Sequence, residues 1–315
     1  MIGIDVGGAN LKVINDDGAH LHYCPLWEGA PLTGLLNQYV TDPDDPAAAV
    51  MSGELADCFE SKMAGISFIV NAAKNAFHSA RFYGTDGQFH DGAVPQLAAA
   101  NWLASADYLR ADYPNAVLLD IGSTTADIIP LARFESLKGL TDLLRLQKGY
   151  LIYTGMLRGN IAMLVQSVTV DRVATPLSSE YFAVSADAHL VLGHITPAQY
   201  TGDTPDKKEK TKKAALRRLA RVVCTDLEEI GTDGAYHIAE QFWEKQRGLI
   251  CDQVQHVAAE AGARQIIVAG IGARLFSREL DGIDLFKEIG SYADTLPAFS
   301  VREVAQRGTF SRKDE

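Results

Sequence analysis

Two short stretches of this chain gather acidic, basic and hydroxyl side chains around a glycine turn. Residues 4–12 read IDVGGANLK and residues 119–127 read LDIGSTTAD. Each is an apolar strand with an aspartate near its end, one more apolar residue, a turn of small residues and a returning strand. The copies align without a gap, so Asp5 matches Asp120 and Lys12 matches Asp127. Gly7, Gly8 and Gly122 let backbone N–H groups approach an anion where a Cβ would collide. Asn10, Ser123, Thr124 and Thr125 can add hydrogen bonds. Asp5 and Asp120 suit Mg2+, which keeps several waters and takes one or two carboxylates. One glycine turn alone is a hairpin with favourable turn chemistry, because short glycine-rich matches are common by chance. Two in register, with a third turn at Gly270 and Gly272 after a buried strand, point to a clamp for a phosphate-bearing ligand.

The elements that position these residues follow from hydrophobic periodicity. Strands are expected at 2–6, 11–14, about 21–25, 116–121, 126–131 and 265–269, with Asp16, Asp17 and Gly18 forming a hairpin turn. Residues 53–63, 95–111, 139–148, 212–230 and 235–261 read as helices. Residues 65–70 read as a buried strand and 42–46 as a loop. Residues 162–193 alternate between strand-like and helical patterns and do not divide cleanly.

Composition narrows the function. The 315 residues carry a net charge of −11, against a nucleic-acid or anionic-membrane partner. No run is long and apolar enough for a membrane helix, and no secretory signal is visible, so a soluble cytoplasmic protein is expected. Cys24, Cys58, Cys224 and Cys251 fit no zinc template and read as reduced thiols. The histidines show no metal-binding spacing. Lys207, Lys208, Lys210, Lys212 and Lys213 read as solvated surface, whereas Arg218 and Arg221, three apart on a helix, are candidate anion contacts. Glu54 and Asp57, also three apart, either bind a substrate amine or metal or form a solvated helical face.

The two hairpins and the late glycine turn together resemble the superfamily of actin, Hsp70 and the sugar and acetate kinases. That resemblance implies an α/β fold of two RNase H-like lobes with a cleft between them, residues 1–115 and 116–315. It makes Gly7, Gly8, Asn10, Gly122, Ser123, Thr124 and Thr125 phosphate-loop residues. Gly270 and Gly272 fall at the adenosine contact.

A narrower resemblance, to the hydantoinase/oxoprolinase-like proteins, rests on the two hairpins and on residues 52–59, 153–158, 179–183, 203–206 and 218–224. Within that family the pattern is similar to a branch tied to tetrahydromethanopterin-linked one-carbon metabolism. Gly159 and Asn160 depart from it where a Thr-Pro pair is expected. The branch implies a transferase of methanofuran-type cofactor biosynthesis. The phenol of γ-glutamyltyramine, or a tyrosine analogue, displaces diphosphate from an aminomethylfuran-methyl diphosphate. By this resemblance Lys12 reaches a phosphate oxygen, and Asp5 and Asp120 position a magnesium ion. Asp127 is either a carboxylate near the metal or a base near the phenol. Glu54, Asp57, Tyr153, Arg158, Glu180, Arg218 and Arg221 are substrate candidates, and Tyr153 and Tyr181 could stack on a ring. Two other functions share the clamp: an ATP-dependent kinase or ATP-coupled amidohydrolase, and a non-enzymatic nucleotide-sensing ATPase. A homo-oligomer is compatible with all three.

Overall fold

The computed structural model describes residues 1–310; positions 311–315 of the expected second lobe lie outside the described residues. The chain forms two main sheets. The first contains β1 (Ile2–Val6), β2 (Asn10–Asn15), β3 (Gly18–Tyr23), β4 (Ala47–Met51), β5 (Arg81–Tyr83) and β6 (Phe89–His90), in the order β3-β2-β1-β4-β5-β6. The second contains β7 (Ala116–Ile121), β8 (Ala126–Pro130), β9 (Leu151–Ile152), β12 (Gln265–Ala269) and β13 (Ile283–Asp284), in the order β13-β12-β7-β8-β9. A separate hairpin, β10 (Ser167–Val170) and β11 (Val173–Pro176), lies outside both.

The repeat seen in sequence is a repeat of topology. β1 pairs antiparallel with β2 and parallel with β4, while β7 pairs antiparallel with β8 and parallel with β12. The register is also the same. Asp5 stands opposite Lys12, and Asp120 opposite Asp127. The two sheets are the cores of the two α/β lobes expected from the superfamily pattern.

One face of the first sheet buries Ile4, Val6, Leu11 and Val13 against helix Lys62–Ala76 through Ile66, Ile69, Val70 and Ala73. Helices Asn101–Leu109 and Leu296–Phe310 cover the other side. Gly3 makes the second contact feasible, because a Cβ there would lie 2.2 Å from the Ala298 carbonyl oxygen. The C-terminal helix therefore returns to β1, β2 and β4, the sheet of the first 115 residues.

Three expectations need correction. Residues 65–70 are helical, not a strand: Ser61 caps the helix by accepting from Ala64 N–H, and the buried residues repeat at helical spacing. Residues 53–61 are turns, so Glu54 and Asp57 share no helical face. The helix expected to reach 230 ends at Arg221; Cys224 follows with φ +59°, and a new helix starts at Gly231. The strand Ala47–Met51 was not foreseen. Its buried alanines have low strand propensity, and only its place beside β1 makes it a strand.

Candidate active site between the hairpins

The two hairpins face one another. Lys12 Nζ donates to Asp5 Oδ2 at 2.9 Å, and the charges of Asp120 and Asp127 on the other hairpin also act on it. Burial works against the ammonium charge, but the three carboxylates outweigh it and Lys12 stands above the ordinary lysine range. Burial pushes Asp120 up to about 7; Lys12 opposes this, and Asp127 and Asp5 add to it. Asp127 is raised by burial and held back by Arg145, which pairs with it and donates to Asp142 at 2.8 Å. Arg145 is buried with its guanidinium 4.4 Å from the Trp102 ring.

Backbone straps fix both turns. Cys24 N–H donates to the Ala9 carbonyl at 2.8 Å, and Leu26 N–H to the Gly8 carbonyl at 3.0 Å. Met156 N–H donates to the Gly122 carbonyl at 3.0 Å, and Leu157 and Arg158 N–H both donate to Ser123, at 2.9 and 3.0 Å. In a planar trans peptide the C=O and the next N–H point in opposite directions. Tying back the carbonyls of Gly8, Gly122 and Ser123 therefore turns the N–H groups of Ala9, Ser123 and Thr124 away from the straps. An array of oriented N–H groups with Lys12 beside it is the chemistry of an anion cradle.

The close approach of the second strap depends on Gly155, where a Cβ would meet Thr124 N at 2.6 Å and Gly122 O at 2.7 Å. Behind it, Gln246 Nε2 donates to Thr154 Oγ1 at 2.9 Å and to the Gly155 carbonyl at 3.0 Å, while His189 Nε2 lies 2.8 Å from Gln246 Oε1. The third turn packs on the same hairpin. A Cβ on Gly270 (φ +80°) would lie 2.6 Å from Asp120 Oδ1, and one on Gly272 2.5 Å from Ile121 Cγ2. These glycines shape the end of β7 beside Asp120.

A pocket of about 140 Å³ opens from the turns. Ala9, Asn10 and Ser123 line it from the turns, Tyr23, Trp27, Tyr181 and Tyr200 supply aromatic surface, and Glu28, Arg158 and Asp203 bring charge. The Arg158 guanidinium sits 4.7 Å from the Trp27 ring centroid. A larger hollow of about 420 Å³ beneath Arg110 and Phe134 contains none of the residues above, so volume alone does not locate the chemistry.

Oxygen donors suited to Mg2+ are present at the hairpins. Asp5 is buried, and its Oδ1 has no hydrogen-bond partner, as an oxygen reserved for an ion or its water would be. Among the described residues no group of three or more His, Cys, Asp or Glu side chains converges on a metal position, and Mg2+ requires only one or two carboxylates.

The structure thus brings together Asp5, Lys12, Asp120, Asp127, both glycine turns and Arg158. Other candidates stand elsewhere. Arg218, expected as an anion contact, is fully buried and donates to Asp187 at 2.8 Å and Asp206 at 3.1 Å; it pins the loop of residues 201–211 to the fold. Arg221 lies 3.6 Å from the same Asp206. Tyr153, 72% exposed, and the exposed Glu180 and Asp57 do not line the pocket. Glu54 is buried, raised by that burial, and leaves Oε2 unpartnered. Sequence reasoning missed Arg145, Gln246, Trp27, Glu28 and Asp203. Arg145 and Gln246 sit on helices and Trp27 and Glu28 on the short 3-10 helix Leu26–Glu28, with no local pattern to separate them from surface residues; Asp203 lies on a loop, within the 203–206 segment of the family resemblance but not singled out there.

The chain belongs to the hydantoinase/oxoprolinase family, whose family model matches residues 45–285. A relative from Methanocaldococcus jannaschii, named (4-{4-[2-(gamma-L-glutamylamino)ethyl]phenoxymethyl}furan-2-yl)methanamine synthase, is 34% identical over 98% of this chain and 98% of its own length. A protein of the same name from Methanococcus vannielii is 37% identical over 59% of this chain and 89% of its own. Among solved structures, the nucleotide-free structure of acetone carboxylase, an enzyme of ATP-dependent acetone carboxylation, matches with a TM-score of 0.52 at 11% identity. The match covers 95% of this chain and 69% of that one, and it shows a shared fold.

Proposed function

We propose that this protein is a transferase that makes the aryl ether named in its two relatives. It would join the phenol of γ-glutamyltyramine, or a tyrosine analogue, to an aminomethylfuran-methyl diphosphate. The phenol oxygen bonds to the furan-methyl carbon, the bond from that carbon to diphosphate breaks, and the electron pair leaves with diphosphate. The phenolic proton passes to a carboxylate of the cleft, for which Asp127, oriented by Arg145, is the candidate.

The convergence of the two strapped turns on Lys12 carries this reading. A furan-methyl carbon tolerates developing positive charge, so departure of diphosphate is the main barrier. Preorganised N–H groups of Ala9, Ser123 and Thr124, with the Lys12 ammonium, bind negative charge as it develops on the leaving group. Mg2+ held by Asp5 and Asp120 would neutralise part of that same charge. The aromatic surface of Tyr23, Trp27 and Tyr181 offers flat faces against which a ring can be oriented.

The test supplies ATP and the furan diphosphate separately, in Mg2+ buffer, with and without the phenol. Diphosphate release that requires the phenol supports the transferase. Phosphate release from ATP, with no reaction of the furan diphosphate, would replace it with an ATP-dependent activity.

A further inference from the structure

A buried ion pair stands behind the wall that the second lobe gives the pocket. Arg218 and Asp187 are both fully buried. The guanidinium donates through Nε to Asp187 Oδ1 at 2.8 Å, and through Nη1 to Asp206 Oδ1 at 3.1 Å and to the Glu209 carbonyl at 3.3 Å. Asp187 in turn holds two residues of the pocket lining. Its Oδ1 accepts from the Tyr200 hydroxyl at 3.2 Å, and its Oδ2 from the Val184 N–H at 3.0 Å, at the start of helix Ser185–Leu192. Burial and the Asp187 charge raise the Tyr200 phenol, so it keeps the proton that it donates. Asp206 anchors the loop from which Thr201, Gly202 and Asp203 also line the pocket. That loop meets the first lobe at Gly202, where a Cβ would lie 3.6 Å from Tyr23 Cε2.

We infer that Arg218 is a positioning residue for the ring-binding side of the pocket, acting through Asp187 on Val184 and Tyr200 and through Asp206 on residues 201–203. The inference rests on the furan diphosphate reading above and assigns the part of that substrate which Arg218 governs, the ring and not the diphosphate. A buried ion pair is weak support for stability, since well-packed apolar residues of similar volume often serve as well. What this pair adds is direction. A planar guanidinium between two carboxylates fixes the angles at which both are held, and apolar packing cannot do that. The wall is therefore set before the ring arrives, and the ligand does not have to order it. The strap on the second turn is held separately by Gln246, so the anion cradle keeps its shape without Arg218.

The experiment compares the native protein with Arg218→Lys, which keeps the charge and loses the fork. Phenol-dependent diphosphate release gives KM for the furan diphosphate, and calorimetry gives the affinity for inorganic diphosphate. A wall that the ligand must order for itself predicts a KM raised about tenfold, with inorganic diphosphate held within about twofold of native. Tyr200→Phe removes one bond of the network and should show the same split at about threefold, so it carries the test if Arg218→Lys does not fold. Native KM in the folded variants would overturn the inference and leave the reaction standing. Equal losses for the substrate and inorganic diphosphate would also overturn it, because they mark a general loosening of the fold. If the native protein turns over no furan diphosphate, the reaction fails, and calorimetry with furfuryl diphosphate against inorganic diphosphate decides the inference without catalysis. A ring-dependent gain in affinity that shrinks about tenfold in Arg218→Lys supports it. A gain that is unchanged, or absent from the native protein, overturns it.

Discussion

Gly155→Ala perturbs the phosphate site without touching a charged or hydroxyl group. The added methyl would sit 2.6 Å from Thr124 N and 2.7 Å from Gly122 O, whereas ordinary contact begins near 3.4 Å. One side must therefore retreat by the difference between 2.6 and 3.4 Å, about 0.8 Å. The strap cannot easily give way. Gln246 holds both Thr154 and Gly155, and His189 fixes Gln246 in turn. The hairpin moves instead, carrying the N–H groups of Ser123 and Thr124 away from the diphosphate. A misplacement of that size can cost about 100-fold in rate, and overpacking a buried site costs about 1–3 kcal/mol in stability. Steady-state kcat/KM for diphosphate release, with calorimetric diphosphate affinity and Tm on the same samples, tests the reasoning. The account predicts losses in rate and affinity far larger than the fall in Tm explains. A variant that loses several degrees in Tm but keeps kcat/KM within threefold would show that the second turn does not hold the reacting anion.

Lys12→Met should lower kcat about 100- to 1,000-fold, as removing a preorganised charge at a developing anion does, and weaken diphosphate binding in calorimetry. A rate within tenfold of native would remove Lys12 from the chemistry. His189 is held neutral by burial, with His194 adding, and its pKa falls to about 3. Between pH 6.5 and about 3 the unfolded chain carries a proton there that the folded chain does not. This contribution is intact above pH 6.5 and is lost on acidification by up to ~1.4 kcal/mol per pH unit. Denaturant titrations of native protein and His189→Asn should differ in slope across that window; parallel curves would contradict the burial argument. Asp120, near 7 in the metal-free protein, is largely protonated below that pH. The Mg2+-induced rise in Tm should thus grow as pH increases toward 7 and level off above it. A shift independent of pH would place the metal elsewhere.

The hairpins were legible because their chemistry is local. An aspartate, a glycine turn and a returning strand occupy nine consecutive residues, and the second copy confirmed the first. The surrounding structure was harder to read for physical reasons. Ala47–Met51 is a strand through its neighbours, not its propensities. The apolar run at 65–70 fits either a strand or a helix, and the Ser61 cap decides it. Arg218 and Arg145 look alike as helical arginines. One locks a loop through Asp187 and Asp206, and the other orients Asp127 in the cleft. Their partners lie far away in sequence. The pocket draws on six separate segments; Asn10 and Ser123 in the turns, Arg158 within a motif and Tyr181 as an aromatic could be named in advance, and the other lining residues could not.

Everything turns on which bond breaks. An ATPase-like clamp built for phosphoryl transfer attacks phosphorus, whereas the ether-forming reaction proposed here attacks carbon. The direct measurement places 18O in the bridging oxygen between the furan-methyl carbon and diphosphate, then follows the label by mass spectrometry. The account predicts that all of it leaves in diphosphate and that the ether carries the unlabelled phenol oxygen. Label retained on the furan-methyl product would mean cleavage at phosphorus and would contradict the central claim.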